Sequence, residues 1–170
     1  NLGLLFAAHA HEPRAAIVDL CDPGRPRHVS FRELDALCNA VARGLTLAGL
    51  KPGDRIGILS LNRTEFVAAL LGSMRAGMVP VPANIKLAAD AIAFVLADAG
   101  ARLVFAEPAL HRLCPAGLRV VEFGGDDNHG FERFLDLVAQ GLSPGRSITS
   151  GDSAIDGNGH DELAATEVTS

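Results

Sequence analysis

The sequence predicts an α/β fold, a layered parallel sheet with flanking helices, and three observations carry that prediction. Short apolar runs at residues 55–60, 78–82 and 102–106 alternate with segments whose apolar side chains step by three and four. Each of the helical segments stops at a glycine, Gly49, Gly77 or Gly100, the residue best suited to a left-handed cap. The connections between them are short, so strand, helix, strand, helix, strand implies parallel neighbours joined by right-handed crossovers.

Residues 16–20 form a short β-leaning run ended by the turn signal Pro23-Gly24. Residues 29–31 lead into the first helix, where Ser30 and Glu33 make a capping box, each side chain satisfying one orphan amide of the first turn. Phe31, Leu34, Cys38, Val41, Leu45 and Ala48 form the apolar face of this helix. After a turn at 51–54, the run 55–60 is apolar without alternation, the pattern of a strand covered on both faces, and is expected at the sheet centre.

Asn62 with Glu65 repeats the capping pattern, and Phe66, Ala69, Leu70 and Met74 stripe the second helix. Pro80 and Pro82 have no N–H, so the following strand is expected to be irregular or to pair over part of its length. Residues 88–99 read as a third helix, with Ile92, Val95, Leu96 and Ala99 on one face. A further strand at 118–123 and a short helix at 131–138 complete a unit over residues 1–140. From Gly141 onward small and acidic residues dominate without an apolar period, and 141–170 is expected to be a disordered tail.

The chain has 170 residues, 48% of them apolar, and a mean hydropathy of +0.24, enough for one globular domain. A net charge of −5 with scattered basic residues offers no broad positive field, so nucleic acid is not an expected partner. Three cysteines without C-x-x-C spacing predict neither a disulfide framework nor a zinc knuckle. Cys21, Cys38 and Cys114 are read as structural, in a reduced, cytoplasmic compartment. The most apolar stretch, 66–81, is broken by Arg75 and Pro80 and falls short of the ~20 residues a spanning helix needs, so no transmembrane segment is expected. The chain begins at Asn1 with no basic n-region, which reads as an incomplete end rather than a signal peptide.

Four motifs that could carry chemistry fail on physical grounds. Residues 141–145 match the G-x-S-x-G pattern, but Pro144 has no N–H to offer an oxyanion, and no strand precedes the motif. His9 and His11 lack a further ligand at metal-binding spacing and read as surface residues; His28, His111, His129 and His160 lie apart and receive no role. Lys51 and Lys86 both lie outside any glycine-rich loop, so no phosphate cradle is apparent. Nor does a G-x-G-x-x-G follow a strand.

Ligands of open α/β sheets bind beyond the carboxyl ends of the strands, which puts Ser60, Asn62, Asn84 and Glu107 near the mouth of any site. Structural roles are preferred: Asn62 as a helix cap, Asn84 as a turn residue, Glu107 as a solvated loop end. No residue is assigned as catalytic, as cofactor-binding or as a metal ligand.

Several blocks together resemble one family. They are Val29-Ser-Phe-Arg-Glu-Leu34, Gly49-Leu-Lys-Pro-Gly-Asp-Arg-Ile-Gly-Ile-Leu59, Asn62-Arg-Thr-Glu-Phe66, Gly72-Ser-Met-Arg-Ala-Gly-Met-Val-Pro-Val-Pro-Ala-Asn84 and Asp98-Ala-Gly-Ala-Arg-Leu-Val-Phe105. In order and spacing they are similar to the N-terminal subdomain of the adenylate-forming (AMP-binding) enzymes, most of all acyl-CoA synthetases. The resemblance covers roughly residues 1–140. It implies a two-step reaction in which a carboxylate attacks the α-phosphate of Mg-ATP, giving an acyl-adenylate, and a thiol, usually that of coenzyme A, then takes the acyl group.

The resemblance therefore implies ATP, Mg and coenzyme A as cofactors of the full-length family and a small carboxylic acid as substrate. It also implies a phosphate loop, an acidic ribose contact and a C-terminal lysine, and none of these can be placed in this sequence. Thr149-Ser-Gly151 imitates the start of the loop, but Asp152 and Asp156 follow where neutral donors and a cation are needed. Residues 154–162 can be encoded so that the next frame resembles the approach to that loop, which gives an out-of-frame reading of the tail.

The expectation is a fragment of an ATP-dependent carboxylate-activating ligase, inactive alone and binding no cofactor. Two alternatives stand beside it: a stand-alone α/β ligand- or protein-binding module, and an interaction piece that competes for full-length protomers. Apolar faces left bare are expected to promote self-association, marginal stability and poor solubility.

Overall fold

The computed structural model describes residues 1–124 and 130–144. A two-stranded antiparallel hairpin, β1 (Ala15–Asp19) and β2 (Arg27–Ser30), precedes the main unit. Then follow α1 (Phe31–Leu47), β3 (Arg55–Leu59), α2 (Thr64–Arg75), β4 (Val79–Pro82), α3 (Ala89–Asp98), β5 (Ala101–Ala106), β6 (Arg119–Glu122) and α4 (Phe131–Ala139). The second sheet is parallel throughout, in the order β4-β3-β5-β6.

The α1 capping box forms as its sequence dictates. Ser30 Oγ accepts the Glu33 N–H at 3.2 Å, and the Ser30 N–H donates to Glu33 Oε2 at 2.7 Å. The glycines that stop the helices take positive φ, as at Gly77 (78°), where an L side chain would be strained.

β3 is central, as its unbroken apolar pattern requires, with Ile56, Ile58 and Leu59 fully buried. Alternation splits the sheet's side chains between two cores. Ile56, Ile58, Leu103, Phe105, Val121 and Phe123 meet α1, α2 and α4, where Phe105, Phe123, Phe131 and Phe134 form an aromatic cluster. Leu59, Val104, Ala106 and Val120 meet Ile92 and Leu96 of α3 on the opposite face. Gly57 lets α3 approach, since a Cβ there would stand 2.6 Å from Leu96 Cδ2; Gly72 likewise lets α2 cross α1 beside Val41.

Two local expectations are corrected. β4 pairs with β3 over its whole length in spite of its prolines. The Val79 N–H donates to Asp54 and the Ala83 N–H to Ile58, so alternate residues face β3 and Pro80 and Pro82 fall on the side away from it. The second correction concerns the start of α2. Arg63, not Asn62, occupies the cap position and no local side chain caps the helix. The Asp19 carboxylate does so from β1, accepting both the backbone N–H and the hydroxyl of Thr64.

Among the described residues no helix is long and apolar enough to cross a membrane. Residues 141–144 remain attached to the body: Gly141 caps α4 at φ 71°, Ser143 Oγ donates to the Leu47 carbonyl at 2.8 Å, and Arg119 donates to the Pro144 carbonyl at 3.0 Å. The rest of the expected tail, residues 145–170, lies outside the described residues, as do His129, His160 and the out-of-frame segment.

Candidate functional site

Parallel strands deliver their carboxyl ends to one edge of the sheet, and the polar residues of this fold converge there. Ser60 follows β3, Glu107 follows β5 and Phe123 follows β6, while Arg63 and Thr64 begin α2. Ser60 Oγ donates to Glu107 Oε1 at 2.8 Å, and Arg63 Nη1 donates to Glu107 Oε2 at 3.0 Å. Arg63 Nε donates to Glu65 Oε2 at 2.7 Å, and the guanidinium also lies 5.6 Å from the centre of the Phe123 ring. One arginine thereby joins the start of α2 to the ends of β5 and β6.

The hairpin enters the same network. Arg27 of β2 donates to Glu65 at 2.5 Å and to Asp19 at 3.1 Å, and Asp19 holds Thr64 through bonds of 2.8 and 2.7 Å. Asp19, Thr64 and Glu65 are buried, and the two carboxylates stay ionised because their partners replace water. Burial pushes the Asp19 carboxyl up, but the Cys21 N–H and both Thr64 donors overcome it and hold the group well below the usual carboxylate range. Burial likewise opposes ionisation of Glu65, and hydrogen bonds from Arg63 and Arg27 reverse the sign and lower its pKa.

Of the four residues expected at the strand mouths, Ser60 and Glu107 are brought together. Asn62 is exposed, and its carbonyl accepts the Cys21 thiol at 3.3 Å. Asn84 Oδ1 accepts the Lys86 N–H at 3.0 Å, the turn role expected of it. Glu107 is corrected: it is a half-buried acceptor of two bonds rather than a solvated loop end, because the approach of Arg63 closes over it. Asp19, Arg27, Arg63, Thr64 and Glu65 were missed as a group. Asp19 and Thr64 are 45 residues apart, and the one available signal was an acidic residue closing an otherwise apolar strand.

The other candidates behave as isolated groups. His9 pairs with Glu12 at 2.5 Å beside the Phe31 ring, and His111 pairs with Glu122 at 2.6 Å. Among the described residues no group of three His, Cys, Asp or Glu could hold a metal. The Cys38 and Cys114 thiols are pushed up to about 11 by burial, which suits packing rather than nucleophilic attack. Ser143 spends its hydroxyl on a helix-end carbonyl, away from any histidine among its described partners.

A triphosphate needs converging amides and cations. This edge sets three carboxylates, Asp19, Glu65 and Glu107, against two guanidiniums, Arg27 and Arg63, which are already bound to them. The described residues of the edge do not fit ATP.

A parallel sheet covered on both faces, with polar residues gathered at its carboxyl edge, makes this a layered α/β unit. The chain belongs to the AMP-binding enzyme family, whose family model matches residues 6–137. It is 34% identical over 131 residues to 4-coumarate–CoA ligase 5 of Oryza sativa subsp. japonica, covering 76% of this chain and 24% of that protein. To the long-chain-fatty-acid–CoA ligase FadD13 of Mycobacterium tuberculosis it is 35% identical over 83 residues, 49% of this chain and 16% of that protein. The acyl-CoA synthetase of Brucella canis superposes with a TM-score of 0.69 at 25% identity, over 82% of this chain and 27% of that one. The N-terminal domain of FACL13 from Mycobacterium tuberculosis does so with a TM-score of 0.64 at 26% identity, over 89% and 38%.

The chain thus matches the N-terminal part of acyl-CoA ligases and spans no more than about a quarter of the two curated relatives. ATP and coenzyme A are the co-substrates of such family members.

Proposed function

We propose that this chain contributes N-terminal scaffold to an ATP-dependent ligase that activates a small carboxylic acid as its adenylate and passes the acyl group to a thiol. The observation that carries the reading is the self-satisfied carboxyl edge. Ser60, Arg63, Glu65, Asp19, Thr64 and Glu107 bind one another and so fix strand ends, rather than presenting free donors to a nucleotide. Magnesium and the phosphate-binding groups are then held by parts of the ligase outside this chain, and the chain by itself binds none of these ligands. Residues 1–140 form the folded part in this reading. A cytoplasmic setting and association of copies through exposed apolar side chains, among them Val18, Leu20, Leu61 and Phe94, belong to the same proposal.

Calorimetric titration with Mg-ATP tests it, on this chain and on a chimera in which residues 6–137 replace the matching segment of 4-coumarate–CoA ligase 5. The expected result is silence from the chain and saturable binding with acyl-CoA formation by the chimera. Saturable binding by the chain alone would overturn the scaffold reading and favour a stand-alone ligand-binding module.

A further inference from the structure

We propose that the groove between α1 and α4 binds a small zwitterion with an apolar body, an α-amino acid with a large apolar side chain being the simplest case. The site goes beyond the ligase reading and does not depend on it.

α1 and α4 meet at Gly44, where a Cβ would stand 2.2 Å from Phe134 Cζ and 2.7 Å from Val138 Cγ2. On the N-terminal side of that contact Ala36, Leu37 and Ala40 of α1 and Leu135 and Ala139 of α4 line a groove of about 610 Å³, with Val29 of β2 also in its wall. The alanines leave this space because each side chain stops at Cβ. Leu37 and Leu135 pack against the main core, so the apolar floor continues it outward. From Glu33 to Arg43 the lining covers about 15 Å of helix, a length and volume that suit a small molecule.

The charges on the rim divide into two kinds. Arg27 is held by Asp19 and Glu65, and Glu33 by the Ser30 amide and hydroxyl, so both are already spent. Arg43 and Asp136 line the same groove, yet among the described residues neither side chain makes a hydrogen bond or an ion pair, with each other or with any other group. They flank one end of the groove from opposite banks. Arg43 directly precedes Gly44, and Asp136 lies between Phe134 and Val138, the two residues that Gly44 meets.

A cation and an anion on facing helices select a ligand by sign. A lone carboxylate drawn to Arg43 is repelled by Asp136, and a lone amine drawn to Asp136 is repelled by Arg43. A head group that carries both charges gains from both banks, while the floor between Ala36 and Ala139 takes its apolar side chain. The groove shares only Arg27 with the carboxyl-edge network, so this ligand is distinct from an acid bound at that edge.

Amide shifts of the isotope-labelled chain titrated with L-phenylalanine test the proposal, beside phenylpropionate, which lacks the ammonium, and phenethylamine, which lacks the carboxylate. Arg43→Ala and Asp136→Ala are titrated alongside; both positions are exposed, and melting curves check that each variant folds. The expected result is saturation in the millimolar range with shifts gathered on Ala36, Ala40 and Ala139. Each analogue should bind about fivefold or more weakly than the amino acid, and each variant should lose about as much. No saturable shift, or shifts gathered elsewhere, overturns the site. An analogue that binds as tightly as the amino acid, or variants without effect, overturns the zwitterion. Shifts that follow protein concentration rather than ligand would give the groove to a second copy and overturn the proposal as well.

Discussion

Asp19 of β1 caps α2 across the fold, its Oδ2 lying 2.8 Å from the Thr64 backbone nitrogen and 2.7 Å from the Thr64 hydroxyl. A carboxylate at a helix N-terminus satisfies an orphan amide and opposes the positive end of the helix dipole. The same bond anchors the hairpin to the sheet body, so a local cap here also does tertiary work. Asp19→Ala is expected to lower stability by about 2–4 kcal/mol, the loss of a cap plus the cost of donors left buried and unpaired. Urea unfolding followed by circular dichroism measures it; a loss near zero would mean that the hairpin does not hold α2.

Acid should loosen the same joint. The carboxyls of Asp19 and Glu65 are held below their ordinary values of 3.8 and 4.5 in the folded chain. The unfolded chain therefore binds more protons as pH drops through that range, and the stability these groups contribute, complete above it, falls away on acidification. Melting temperature should decline from about pH 5 downward, and Glu65→Gln should flatten part of that slope. An unchanged slope in the variant would place the acid sensitivity elsewhere.

Arg63 holds Glu65 and Glu107 at once, and its own side chain is four-fifths covered, at 21% exposure. Arg63→Ala leaves the shielded Glu107 with the Ser60 hydroxyl alone and Glu65 with Arg27 alone, and is expected to cost about 3 kcal/mol. Arg63→Lys should recover only part of this, because an ammonium cannot bridge both acids with the planar fork of a guanidinium. Chemical denaturation of the two variants side by side decides; equal stability of the lysine variant and the parent would count against bridging as the source.

The outward placement of Pro80 and Pro82 predicts a different kind of variant. Replacing both by valine restores two N–H groups on the open edge of β4 and leaves the ladder to β3 unchanged. Light scattering should then rise with concentration while the melting temperature of the dilute monomer stays close to that of the parent.

Thiol accessibility offers a further check. Cys38 and Cys114 titrate near 11 because they are shielded, whereas Cys21 is exposed and is raised by its partial burial and by Asp19. An aromatic disulfide reagent at mildly alkaline pH should label Cys21 first in the native chain, and all three cysteines at similar rates after denaturation. Early labelling of Cys38 would contradict the packing of α1 against the hairpin.

Local sequence was enough for the succession of elements from α1 to α4, the capping box at Ser30 and Glu33, the stops at Gly49, Gly77 and Gly100, and the central place of β3, but not for β2 or its hairpin with β1. Each of these rests on interactions within a few residues of chain, or on a burial pattern that one segment displays alone. The family blocks were legible for the same reason, being contiguous stretches. Long-range packing settles that Asp19 rather than Asn62 caps α2, that Glu107 is gripped by Arg63 and Ser60, and which side of β4 its prolines face. Those pairings join residues 44 to 47 positions apart, and a side chain's hydrogen-bond partner at that distance is set by where the strands end in space, which no local pattern encodes.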